Sequence, residues 1–156
     1  MEALLAWLQA TSIAAAVGDS IGLTATLSAV HLLGYIVVTG GAFVSNLRLL
    51  GVLLPGHPVL DVSRAATRGI AIGLLLSVAT GVLLFAPRAT VASANPIFRT
   101  KMLLLAAAVL FHFTVHRGVA RRPIASSAAL RTTGVVGGLL WMGVALAGAA
   151  FILLEG

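Results

Sequence analysis

Apolar residues run in long stretches along this chain, and its charged residues fall between them. A bilayer core of about 30 Å takes roughly 20 mostly apolar residues per helix. Four stretches approach that length, at about Ile21–Leu47, Gly69–Phe85, Phe98–His116 and Gly134–Leu154. The first is long enough to tilt, or to begin in the interface around Asp19 and Ser20, while the second and third sit near the lower limit. Ahead of them, Met1–Val17 carries Trp7 among Leu4, Leu5 and Leu8 and is broken by Gly18 and Asp19, which predicts a short interfacial helix. A secretory signal is the competing reading, but only Glu2, and no basic residue, precedes the apolar stretch.

Turn-forming residues punctuate the joints. Pro55-Gly56-His57-Pro58 follows the first span, Pro87 and Asn95-Pro96 follow the second, and Pro123 follows the third. Asp61–Ser63 reads as the cap region before the second span, and Ser93–Pro96 as the start of the third. No linker, low-complexity tract or internal repeat divides residues 1–156. The expectation is an all-α, transmembrane four-helix bundle in one domain, with the interfacial helix at its N-terminus.

Composition explains why water is the wrong solvent. The chain is 60% hydrophobic and 9% charged, where a soluble domain is about 25% charged, so a polar coat cannot be assembled. A net charge of +6 could suggest nucleic acid, but the basic residues flank apolar runs instead of forming a patch with aromatics. Lipid is the expected contact, and no nucleic acid. With four spans, Arg48, Arg64, Arg68, Arg117, Arg121, Arg122 and Arg131 share one side, against Arg88, Arg99 and Lys101 on the other. The positive-inside rule places the arginine-rich side in the cytoplasm and both termini on the opposite, outer side.

Candidate chemistry rests on histidine, because the chain has no cysteine and therefore no thiolate metal site or Fe–S cluster. His31 is about ten residues into the first span, and His112 eleven residues past Lys101. At 1.5 Å per residue both lie roughly 15 Å from the outer entry. Since these spans run in the same direction, the two imidazoles could face each other as axial ligands of one haem. The plain alternative is that they hydrogen-bond across helices to carbonyls or hydroxyls such as Ser28, Thr39, Ser77 and Thr80. His116, one turn beyond His112, is an alternative ligand, although beside Arg117 it is expected to meet water or headgroups. Tyr35 shares His31's face and could orient a ligand or pack; His57 reads as a solvated turn residue. Arg48, Arg64 and Arg68 could pair with haem propionates or with lipid phosphates. Gly69-x-x-x-Gly73 and Gly134-x-x-x-Gly138 permit tight helix crossing. The spans hold no acidic residue for cation transport, and no hydrolytic motif is present.

Several segments together carry a family likeness: Trp7-Leu8, His31-Leu32-Leu33-Gly34, Leu47-Arg48-Leu49-Leu50-Gly51, Thr80-Gly81-Val82-Leu83-Leu84-Phe85, Asn95-Pro96-Ile97-Phe98 with Lys101, Phe111-His112, and Trp141 with Gly143 and Gly148. Through them nearly the whole chain resembles a bacterial family of small, uncharacterised four-helix membrane proteins. The architecture is similar to that of b561-type and copper-resistance-type membrane cytochromes, a likeness that implies haem. Two positions depart from the family pattern: Asn46 stands where Asp is usual before Leu-Arg-Leu-Leu-Gly, and Ala149 where Arg is usual after Gly148.

The leading expectation is a b-type cytochrome-like electron carrier, with one haem b between His31 and His112 and a quinone or membrane redox partner. A rival is a cofactor-free structural or accessory subunit of a larger membrane complex, and a third is copper handling through His31, Met102 and Met142. The first two are non-enzymatic.

Overall fold

The computed structural model describes residues 2–122 and 125–155. Among these, all regular elements are helical. Helices α1 (Glu2–Gln9) and α2 (Ser12–Asp19) lead into the long α3 (Ile21–Leu49) and α4 (Val59–Phe85). A 3-10 turn at Ala86–Arg88 carries the chain into α5 (Ala89–Ala94). Then come α6 (Pro96–Phe111), a π turn at His112–His116, α7 (Arg117–Ala120) and α8 (Ser127–Glu155). Four helical segments are long and apolar enough to cross a membrane: Ile21–Leu49, Val59–Ala94, Pro96–Ala120 and Ser127–Leu154. Leu33, Ile36, Ile72, Leu75, Leu103, Leu139 and Leu146 are all more than half exposed, as a lipid-facing surface requires. The chain is therefore a multi-pass membrane protein.

Local chemistry sets the breaks. The N-terminal lead is two helices rather than the single one expected, because Thr11 caps α2, its hydroxyl accepting from Ala14 N–H at 3.2 Å. Ser20 caps α3 in the same way through Leu23 N–H, and Thr24 Oγ1 donates to the Val17 carbonyl at 2.6 Å, tying α2 to α3. Asn95 Oδ1 accepts from Ile97 and Phe98 N–H, starting α6 where the sequence indicated. At the far end of α3, Gly51 takes a φ of 78°, open to glycine without strain, and ends the helix.

The second span begins ten residues before the expected Gly69. Pro58 precedes its first residue, Asp61 lies in its first turn, and Arg64 and Arg68 ride on the helix itself, so polar positions that read as a connector are helical. The fourth likewise starts at Ser127, seven residues before Gly134. Pro123, expected to end the third span, lies outside the described residues.

Helices α3 and α4 pack most tightly. Gly34 and Gly73 face each other so closely that a Cβ on Gly34 would lie 2.9 Å from the Gly73 carbonyl, and one on Gly73 would lie 2.7 Å from the Gly34 carbonyl. Helix α8 closes the bundle against α3 and α6, and Val38, Ala42, Ile70, Ala108, Trp141 and Val144 fill its centre. At the end that carries the termini, Phe85 stacks on Phe98 with centroids 5.3 Å apart, and Phe151 meets Phe98 at a tilt with centroids 5.7 Å apart. At this end α1 and α5 join where the Gln9 side-chain carbonyl accepts from Thr90 N–H and Oγ1–H.

Candidate functional site

Both ends of the central apolar plug carry histidines, His31 partly buried towards the terminal end and His112 and His116 buried towards the other. Towards the terminal end, His31 Nδ1 lies 2.9 Å from the Ser77 carbonyl and 3.2 Å from Thr80 Oγ1. A carbonyl can only accept, so Nδ1 carries the proton and Nε2 keeps a bare lone pair. The Thr80 hydroxyl donates to the Leu76 carbonyl at 2.7 Å, leaving its oxygen free to accept from the same imidazole. Gly81 makes room for the ring: a Cβ there would meet His31 Cε1 at 3.1 Å.

Towards the arginine-rich end, the five-residue π turn presents His112 and His116 on one face. Their rings stack with centroids 4.6 Å apart, and both are essentially fully buried. His112 Nε2 lies 3.1 Å from Thr67 Oγ1 on α4; His116 Nε2 lies 3.0 Å from Ser45 Oγ on α3. The turn thus joins three helices through two imidazole–hydroxyl contacts. His112 Nδ1, His116 Nδ1 and Asn46 Oδ1 are buried without a hydrogen-bond partner among the described residues, while Asn46 Nδ2 donates to the Ala42 carbonyl at 2.8 Å. Asn46 reaches α8 at Gly137, where a Cβ would collide with its side-chain amide.

The structure does not bring His31 and His112 to one level. Their partners on α4, Ser77 and Thr67, are ten residues apart on one helix, a separation of about 15 Å along the axis. Val38, Ala42 and Ile70 of the packed core occupy the interval. The depth count from Lys101 underestimated His112, because α6 starts at Pro96 and His112 follows a 16-residue helix, whereas His31 is ten residues into α3. The pair does not fit a single porphyrin held by both rings. His116, expected near headgroups, is instead in the interior at 0% exposure. Among the described residues no cluster of three or more His, Cys, Asp or Glu side chains could hold a metal ion.

The remaining candidates separate. Tyr35 is half-buried on α3, and its carbonyl accepts from Thr39 Oγ1 at 2.9 Å. Arg48 is occupied by its own loop, donating through Nε and Nη2 to the His57 carbonyl at 3.0 and 2.7 Å and through Nη2 to the Pro55 carbonyl at 3.4 Å. Arg64 and Arg68 line a cavity of about 170 Å³ together with Leu60, Ser63, Thr67, Arg117 and Arg121. The sequence reading missed Arg117, Arg121, Ser63 and Thr67 as members of this group. Their signal was the repeated four-residue spacing of Ser63/Thr67, Arg64/Arg68 and Arg117/Arg121, which aligns each pair on one helix face.

A second, larger groove of about 530 Å³ lies between α3 and α4, its walls formed by Gly40, Gly41, Val44, Val62, Ala65, Ala66 and Gly69. Leu54, His57, Pro58 and Asp61 border its arginine-rich end. A Cβ on Gly40 would meet nothing within 4 Å, and one on Gly69 would only just touch Val37. Leu54 holds a φ of 52°, a conformation costly for a branched side chain, at the groove's rim.

Residues 4–153 match the model of a family whose function is unknown. Comparison with curated proteins and with solved structures finds no match.

Proposed function

We propose that this chain, which belongs to the DUF6644 family of unknown function, is a non-enzymatic accessory subunit of a membrane complex that receives a partner's transmembrane helix in its α3–α4 groove. One observation carries the reading: a groove of about 530 Å³, walled by small residues on both helices and bordered at one end by a loop. Small side chains let backbones approach closely, which is the main source of helix association where lipid tails are as apolar as the helices. The occupant belongs to another chain. A two-fold dimer would set concave groove against concave groove and leave both empty, whereas a helix ridge fills one. Asp61, exposed at the groove's end, suits a basic residue of the partner, and basic residues concentrate at cytoplasmic helix ends. In this reading the arginine-rich end faces the cytoplasm of a bacterial inner membrane and the termini face the periplasm.

The test is Gly40→Leu, whose Cβ would meet nothing within 4 Å and whose side chain would occupy part of the groove. The substitution should leave thermal stability within about 0.5 kcal/mol of wild type while abolishing the detergent-stable complex, and the same substitution at Gly22, also open, should leave the complex intact. A complex that survives Gly40→Leu refutes the proposal.

A second reading has one observation behind it. His31, with Nδ1–H held by the Ser77 carbonyl and Nε2 bare, has the outer-sphere arrangement common to metal-ligating imidazoles. It fits haem b as one axial ligand in an electron carrier serving a quinone or other redox partner, consistent with the architectural likeness to b561-type and copper-resistance-type cytochromes. Protein from haem-replete cells would then show a Soret band that is lost in His31→Ala and retained in His112→Ala. Colourless protein refutes this second reading and leaves the first untouched.

A further inference from the structure

We infer that the cavity between α4 and α7 is a binding site for a phosphate group, held by Arg64, Arg68, Arg117 and Arg121 over a floor made by Ser63 and Thr67. The inference is independent of the helix-docking groove, which lies against α3 and shares none of these residues.

Charge comes first. Four guanidiniums line one cavity of about 170 Å³, and an anion among them would relieve the mutual repulsion of like charges. Among the described residues no carboxylate lines this cavity: Asp61 lines the other groove, and Glu2 and Asp19 belong to helices at the opposite end of the bundle. The volume admits a tetrahedral oxyanion with accompanying water, since one water takes about 30 Å³. Guanidinium forks match phosphate oxygens two at a time, which a lysine could not do.

The floor separates this cavity from a loose ring of interfacial arginines. Ser63 and Thr67 are 4% and 8% exposed, so both hydroxyls sit inside the fold and under the charges. Thr67 Oγ1 lies 3.1 Å from His112 Nε2. With Nε2–H donating to that oxygen, the hydroxyl's own proton is free to point into the cavity as a donor. His112 Nδ1 is then left as an unpaired acceptor, which a protein interior tolerates better than an unpaired N–H. His112 is therefore a positioning residue: it sets the Thr67 hydroxyl as donor to the anion. The phosphate group can come from a phospholipid headgroup of the adjoining leaflet or from a free phosphate compound.

The experiment has one arm for each source and compares wild type, Arg117→Gln/Arg121→Gln, and Arg131→Gln, an exposed arginine outside the cavity. In dodecyl maltoside micelles, which carry no phosphate, inorganic phosphate is titrated against chloride at matched ionic strength and thermal unfolding is followed. In nanodiscs doped with phosphatidylglycerol, native mass spectrometry counts the anionic lipids retained on extraction. Stabilisation by phosphate in the first arm identifies a free-phosphate source, and selective retention in the second identifies a headgroup. In whichever arm responds, the double variant should lose at least about tenfold in affinity or occupancy, as expected when charge-assisted hydrogen bonds are removed, and Arg131→Gln should match wild type. If the double variant fails to fold, Arg64→Gln at an exposed position repeats the comparison. No difference between wild type and cavity variants in either arm, with helical circular dichroism unchanged, overturns the inference.

Discussion

Substituting Gly34 by alanine tests the close packing of α3 on α4 that holds His31 against Ser77 and Thr80. The new Cβ would lie 2.6 Å from Ser77 Oγ, 2.9 Å from the Gly73 carbonyl and 2.9 Å from Ser77 N. Two of these neighbours are backbone atoms on α4, so no rotamer change relieves them, and they fall short of ordinary contact by about 0.5 Å or more. Helix α4 must move away from α3. Overpacking of this kind costs about 1–3 kcal/mol, and separation also stretches the contact between His31 Nδ1 and the Ser77 carbonyl, now 2.9 Å, adding about 0.6 kcal/mol typical of an interhelical bond in a membrane. The gain in helix propensity, at most about 1 kcal/mol, works the other way. The net expectation is a loss of roughly 1–3 kcal/mol. Steric trapping in bicelles measures it, with Gly22→Ala as the control, because a Cβ there meets nothing within 4 Å. Gly73→Ala, facing the Gly34 carbonyl at 2.7 Å and Val38 Cγ2 at 2.8 Å, should behave like Gly34→Ala. If Gly34→Ala proves as stable as the Gly22→Ala control, the close approach of α3 and α4 is wrong.

Other substitutions probe the remaining contacts. Ser45→Ala should cost about 0.5–1.5 kcal/mol and His116→Ala about 2–4 kcal/mol, since the latter also opens a cavity at a fully buried site; a double-mutant cycle in bicelles should show coupling, and additivity would deny the 3.0 Å contact. Leu54→Gly should stabilise by about 1 kcal/mol by relieving the left-handed backbone at φ 52°, whereas Arg48→Ala, which removes the donor to the His57 and Pro55 carbonyls, should raise protease cleavage within residues 51–58. In this cysteine-free chain, Ser93→Cys should react with an impermeant maleimide on intact cells and Ser126→Cys only after permeabilisation; the reverse pattern would invert the proposed orientation.

The membrane character was legible because bilayer thickness imposes one length on every span, and composition alone signals the solvent. Boundaries were less so. Arg64 and Arg68 read as ends of a connector, yet a helix can continue past the hydrocarbon with arginines on its surface, and α4 does so from Val59. Each polar residue inside the spans was legible as needing a partner, but not which partner. His31's pairing with Ser77 and Thr80 lay within the plain alternative, whereas the expected opposition of His31 and His112 assumed that equal counts from two boundaries mean equal depth. Relative helix register and the π turn decide that, and neither is encoded in hydropathy. The arginine cavity escaped notice because Arg64 and Arg117 are far apart in the chain and meet only after α4 and α7 pack.

The most direct test of the helix-docking reading places a photo-crosslinking amino acid at Gly40 in native membranes, with the same group at lipid-facing Leu75, 74% exposed, as reference. The account predicts a discrete adduct from position 40 whose added mass is that of another membrane protein, absent from position 75. Adducts from both positions that contain only lipid, or an adduct from position 40 with the mass of two copies of this chain, would contradict it.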